Sequence, residues 1–214
     1  MEIPENDFRK DPVSGRWVII TRERLLRRLN HHGHPPDFSS PEKCPLCPGN
    51  ENLTPKEIWR WPDKGDSWKV RVIPNKFPVL RIEGEVTRRG EGIFDHISGT
   101  GAHEVIVDSP DHIMCAEDQD YEQISRVFYA YKIRLSDLKK DERLHYGLVF
   151  KNVGIEAGAF LAHPHSQLIA MPIIPVNVKQ ELESCREYYK IKERCLICDI
   201  INEETEDKKR IIME

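Results

Sequence analysis

Hydrophobic and polar residues alternate along some stretches of this chain and recur at every third or fourth position along others. Trp68-Lys69-Val70-Arg71-Val72-Ile73 alternates as a half-buried strand does. It breaks at Pro74-Asn75-Lys76-Phe77-Pro78, and a second short run follows, Val79-Leu80-Arg81-Ile82. Ala102-His103-Glu104-Val105-Ile106-Val107-Asp108 is predicted as another strand, turned out of its end by Ser109-Pro110-Asp111-His112. Near the start, residues 8–20 read as a hairpin, with Asp11-Pro12 and Gly15 in the turn and Trp17 to Ile20 as the returning strand. Between about residues 117 and 140, Ile124, Val127, Phe128, Tyr131, Leu135 and Leu138 recur at helical spacing, which predicts a long amphipathic helix lying on the sheet. His145-Tyr146-Gly147-Leu148-Val149-Phe150 is a strand that leads through a glycine-bearing loop into a further strand around Leu168-Ile169-Ala170. A second helix covers about residues 179–192. The predicted fold class is α+β: an antiparallel sheet with helices on one side.

Composition and charge narrow the function classes. At 214 residues the chain can bury a proper core, as one large domain or one and a fraction. A net charge of -4, with basic and acidic residues intermixed, excludes a general nucleic-acid binder that works by counterion release. No apolar run is long enough to span a bilayer, and Met1-Glu2-Ile3-Pro4-Glu5-Asn6-Asp7 is not a signal peptide. The chain therefore reads as cytoplasmic, with neither nucleic acid nor membrane as a partner. In that compartment cysteines stay reduced, and four of the six stand in two Cys-x-x-Cys pairs, a spacing for metal rather than for disulfides.

The candidate chemistry centres on His163-Pro164-His165-Ser166-Gln167. If this segment is extended, His163, His165 and Gln167 share one face, walled by Leu168 and Ile169. Just upstream, Gly154 and Gly158 let backbone approach a bulky anion such as a phosphate. A lone histidine at a strand start is usually a satisfied structural residue. Three aligned polar side chains behind a Gly-x-x-x-Gly loop point instead to phosphoryl or nucleotidyl chemistry. Cys44-Pro45-Leu46-Cys47-Pro48-Gly49 has the form of a zinc knuckle and needs two further ligands. These are available either from Cys195 and Cys198 or from His96, His103, His112, His145, His163 and His165. His31, His32 and His34 lie in a Pro-rich stretch that reads as a solvated connector. The arginines of residues 22–28 form a solvated face that can also reach an anion bidentately. Cys185, on a charged helix surface, reads as a bystander.

Read together and in order, Asp11-Pro12 through Trp17, Cys44-Pro45-Leu46-Cys47, Arg71-Val72-Ile73-Pro74-Asn75, Ser109-Pro110-Asp111-His112, Asn152-Val153-Gly154 and His163-Pro164-His165-Ser166-Gln167 carry a family resemblance. The chain resembles the galactose-1-phosphate uridylyltransferases, the transferase branch of the histidine-triad superfamily, over essentially its whole length. The resemblance implies a histidine-triad-like fold with a structural zinc ion held by Cys44, Cys47, His112 and His163. It also implies that His165 is the nucleophile, that Gln167, Asn152 and Asn75 contact the nucleotide, and that Arg24 and Arg27 match a basic pair near the phosphates. His165 would take UMP from a UDP-hexose and pass it to a hexose 1-phosphate, with Gln167 and the Gly154 and Gly158 backbone facing the non-bridging oxygens. A homodimer acting in galactose metabolism is implied as well.

Three features depart from that pattern. Ala159-Phe160-Leu161 stands where the family commonly has a serine. The His-Pro-His-Ser-Gln run, with residues 68–73 and Cys195-Leu196-Ile197-Cys198, is also similar to the adenylyl-transferring phosphorylases that act on ADP-glucose. Finally, family members carry a second histidine-triad-like half. Residues 1–192 read as the N-terminal nucleotidyltransferase domain, and residues 193–214 as the beginning of a truncated second one. A second metal at Cys195 and Cys198 would need partners from the rest of that half. Two other classes stay open. One is a scaffold whose zinc is held by Cys44, Cys47, Cys195 and Cys198 with His165 inert. The other is a nucleotide hydrolase of the same superfamily.

Overall fold

The computed structural model describes residues 6–21, 40–65, 67–112, 116–159 and 161–213. Among these, the strands are β1 (Asp7–Lys10), β2 (Trp17–Ile20), β3 (Trp59–Trp61), β4 (Val70–Pro74), β5 (Arg88–Glu91), β6 (Phe94–Ser98), β7 (Ala102–Val107), β8 (Tyr146–Phe150) and β9 (His165–Met171). The helices are α1 (Tyr121–Leu138), α2 (Val176–Lys192) and α3 (Leu196–Asp207). The strands form two antiparallel sheets, one in the order β2-β1-β6-β5 and a larger one in the order β3-β4-β7-β9-β8. The α+β class and the antiparallel pairing are as predicted. So is the opening hairpin, whose turn is closed by a hydrogen bond from the Gly15 N–H to the Asp11 carbonyl at 2.9 Å.

Two expectations about the strands are corrected. The sheet is not single: Arg88–Glu91 and Phe94–Ser98 make a hairpin of their own and join β1 and β2. β5 is exposed along its whole length, so its residues carry no apolar alternation that could announce a strand. Residues 79–82 are not a strand either. Pro78 precedes them, and only Arg81 pairs, bridging Thr100 while exchanging backbone hydrogen bonds with Gly99 and Gly101.

The register of the large sheet assigns its two faces. Val70, Val72, Ala102, Ile106, Leu168 and Ala170 lie on one face and are buried with Val127 and Ala130 of α1, which places the helix there. Asp120 caps α1 by accepting from the Gln123 N–H at 2.7 Å. Gln123 in turn donates from Nε2 to the carbonyls of Lys69 and Asp108, pinning the helix start to the ends of β4 and β7. Lower on the helix, buried Arg134 forms a bidentate pair with buried Glu104 of β7.

Among the described residues, the opposite face is covered only at its two ends. Over one end Cys44, Leu46 and Cys47 pack with Trp68, Ile73 and Val107. Over the other, the small sheet contributes Phe8 and Ile97 to a cluster with Val79, Leu80 and Met171. Between these covers, half-buried His165, Gln167 and Phe150 remain on a partly open sheet surface. By contrast, α2 and α3 contain no buried residue.

Candidate metal centre and nucleotidyl site

The loop at residues 40–50 is wound tightly before it reaches the sheet. Asn50 donates from Nδ2 to the carbonyls of Cys44 and Pro41, and the Cys47 N–H reaches the Cys44 carbonyl. That winding aims both thiols inward. Cys44, Cys47, His112 and His163 bring one ligand atom each to within 4.8 Å of one another. Cys47 Sγ lies 3.1 Å from His112 Nδ1 and 3.4 Å from His163 Nδ1. Two thiols and two imidazoles are a donor set that suits a zinc-like ion.

The electrostatics agree with that fit. Burial, with the Cys44 thiol beside it, pushes Cys47 up to about 12, and burial pushes the His163 imidazole down to about 4. Neutral imidazole is the metal-binding form, and a buried thiol such as Cys47, which resists ionising alone, gives up its proton to a dication. His163 donates from Nε2 to the Ser109 carbonyl at 2.7 Å, which leaves Nδ1 facing the cluster.

The four-thiolate arrangement is overturned. Cys195 and Cys198 are exposed at the start of α3, and the partners of Cys44 and Cys47 are histidines. β9 begins at His165, and His163 just before it is fully buried with Nδ1 at the cysteine cluster, which packs over one end of the sheet face that carries half-buried His165 and Gln167.

The two histidines remain coupled through the backbone. His165 donates from Nδ1 to the carbonyl of His163 at 2.8 Å. In the neutral ring that bond places the proton on Nδ1 and the lone pair on Nε2. Two residues on, Gln167 Oε1 lies 2.9 Å from His103 Nε2 and 3.5 Å from Asn75 Nδ2. Asn75 Oδ1 accepts from the Phe77 N–H, so the Asn75 side chain is built into this amide network.

The glycine loop follows β8. Asn152 is half-buried, and Gly154 and Gly158 take positive φ of 83° and 84° with open space where a side chain would stand, as an anion-admitting loop requires. Its root is clamped behind the sheet, where Asp108 Oδ2 accepts from Lys151 Nζ at 2.7 Å and from Ser166 Oγ at 2.9 Å. Burial pushes the Asp108 carboxyl up, against the pull of Lys151 and Ser166.

Sequence reasoning offered His103 only as a possible metal ligand, where the structure sets it against Gln167, and it overlooked Asp108 and Lys151 as parts of the site. His103 carried a signal, since a polar side chain two residues from Val105 shares its face of the strand. Arg24, Arg27 and the histidines of residues 31–34 lie outside the described residues.

Comparison with known proteins agrees with this geometry. The family model described as galactose-1-phosphate uridyl transferase, N-terminal domain, matches residues 2–175. An ADP-glucose phosphorylase of Arabidopsis thaliana is 35% identical over 197 residues, which cover 90% of this chain and 56% of that protein. A galactose-1-phosphate uridylyltransferase of Thermotoga maritima is 28% identical over 204 residues, 95% of this chain and 58% of the relative. The crystal structure of an Arabidopsis thaliana ADP-glucose phosphorylase with bound ADP-glucose superposes with a TM-score of 0.65 at 32% identity, covering 92% of this chain and 59% of that one. The chain thus spans little more than half the length of these relatives.

Proposed function

This chain belongs to the galactose-1-phosphate uridyl transferase family, and from that premise we propose that it is a nucleotidyltransferase that moves UMP from a UDP-hexose to a hexose 1-phosphate through a covalent intermediate on His165. The observation that carries this reading is the 2.8 Å bond from His165 Nδ1 to the His163 carbonyl, which leaves an unprotonated Nε2 on the open face beside Gln167.

In the first step the Nε2 lone pair forms a bond to the α-phosphorus. The bond from phosphorus to the bridging oxygen breaks, and hexose 1-phosphate leaves with that electron pair. In the second, a phosphate oxygen of the acceptor attacks the same phosphorus and the N–P bond breaks, restoring His165. The Gln167 amide and the backbone around Gly154 and Gly158 would hold the non-bridging oxygens, and Asn152 and Asn75 would flank the nucleotide. Arg24 and Arg27 would meet the phosphates.

Cys44, Cys47, His112 and His163 would hold zinc, which supplies structural rigidity two residues from the nucleophile. Cys195 and Cys198 would join a second metal site only with further ligands. We set the domain boundary after Lys192, where Glu193 takes a left-handed φ of 54° and separates α2 from α3. A homodimer completes this reading.

A second reading is favoured by the 35% identity to an ADP-glucose phosphorylase. The donor would then be ADP-glucose, the group on His165 adenylyl, and the acceptor a phosphate. Intact-protein mass after incubation with UDP-glucose, and separately with ADP-glucose, tests both. A uridylyl adduct absent from His165→Ala is the expected result. An adenylyl adduct would favour the second reading, and an adduct that persists in His165→Ala would sink the His165 mechanism.

A further inference from the structure

His103 is buried within the sheet at 5% exposure, on the same face as Gln167 and diagonal to it across the β7–β9 pair. Both of its ring nitrogens are engaged. The Val79 N–H donates to Nδ1 at 3.0 Å, so Nδ1 carries no proton and Nε2 does. Nε2 stands 2.9 Å from Gln167 Oε1 and is therefore the donor in that bond. A second donor meets the same oxygen. Because Asn75 Oδ1 accepts from the Phe77 N–H at 2.9 Å, its Nδ2 is turned inward, 3.1 Å from His103 Nε2 and 3.5 Å from Gln167 Oε1.

Two donors fixed by backbone groups thus converge on one end of the Gln167 amide. A carboxamide has a donor end and an acceptor end of nearly equal size, and only the donor end favours a phosphate oxygen. Without a fixed partner, the amide would sample both orientations, and in the wrong one Oε1 would repel the anion.

We propose that His103, resting on the transfer chemistry assigned above to His165, is a positioning residue. It holds Gln167 by its oxygen so that the Nε2 amine faces the phosphoryl group at His165. His103 itself touches neither substrate nor phosphorus. Its effect passes through Gln167 and is felt where charge builds on the transferred group, more than in donor binding.

A double-mutant cycle with His103→Leu and Gln167→Ala tests this, read as the single-turnover rate of nucleotidyl adduct formation over a range of donor concentrations. His103→Leu should lower the saturating rate on the order of 10- to 100-fold, no more than the 10²- to 10³-fold typical of losing such a donor outright. The half-saturating donor concentration should stay within about threefold. In the Gln167→Ala background the same change should lower the rate less than about threefold. His103→Gln, which keeps an N–H donor, should recover a large part of the loss. An equal loss in both backgrounds would mean that His103 acts only on the fold and would overturn the proposal.

A second measurement does not require catalysis. The imidazole nitrogen resonances of His103 in the native chain should show Nε2 protonated and Nδ1 bare. The opposite tautomer would overturn the proposal even if adducts form. The expected tautomer in a chain that forms no adduct would count against the transfer reading and leave the Gln167 orientation supported.

Discussion

His163 shows how one residue can join the candidate metal cluster to His165 without their side chains meeting. Its imidazole enters the cluster, and its carbonyl accepts the Nδ1 proton of His165. Because that carbonyl is backbone, the orientation of His165 depends on where the chain is held, and the cluster holds it. Behind the same strand, Ser166 lies between Asp108 and the hydroxyl of Tyr131 on α1. Burial and the Asp108 charge push the Tyr131 phenol up to about 12 from an ordinary 10.0. The folded chain therefore keeps a proton that the unfolded chain loses between those values. The resulting stability is complete below pH 10 and is lost as pH rises through about 12. Urea midpoints followed from pH 9 upward should fall more steeply for the native chain than for Tyr131→Phe. Parallel slopes would show that the phenol is not held protonated.

The coupling between α1 and the sheet belongs to the scale of elements. Arg134, 7% exposed, donates to both oxygens of Glu104, 4% exposed, at 2.8 and 2.7 Å, and also reaches Asp137 on the helix surface. Both charges have been taken out of water, so removing one strands the other. Arg134→Met should cost about 3–5 kcal/mol in urea unfolding, and adding Glu104→Met should return most of it, since an apolar pair needs no partner. A double variant no more stable than the single one would show that the pair contributes more than mutual neutralisation. How far elements are legible depends on how much apolar surface they bury. α1 buries one face and β7 nearly every residue, and both were readable from their apolar spacing. β5 buries no residue, and β3 is a three-residue edge strand. At the site, the cluster of Cys44, Cys47, His112 and His163 was reached through the family resemblance, since spacing alone left the partners of the two cysteines open. The place of His103 on a strand face was legible, but its pairing with Gln167 was not, because the two are 64 positions apart and no local spacing joins them.

At the scale of the whole molecule, the cysteine-histidine cluster, His165 and the glycine loop all sit on one five-stranded sheet. Each of the three hydrophobic clusters closes before residue 174. The family match ends at 175, just where α2 begins. α2 and α3 leave Leu182, Tyr189, Ile191, Ile197, Ile200 and Ile201 at least 47% exposed and bury no residue of their own. Helices without a packed face owe little of their stability to the body of a domain and lend it little in return. A chain ended after Pro175 should therefore keep its full metal content and unfold cooperatively with a free energy within about 1 kcal/mol of the native chain, the range expected when no buried contact is lost. The same shortened chain lacks Cys195 and Cys198, so retained metal would also show that these thiols are dispensable for the centre. A drop of several kcal/mol, or loss of the ion, would make α2 and α3 part of the folding unit, and the sheet would then not stand by itself.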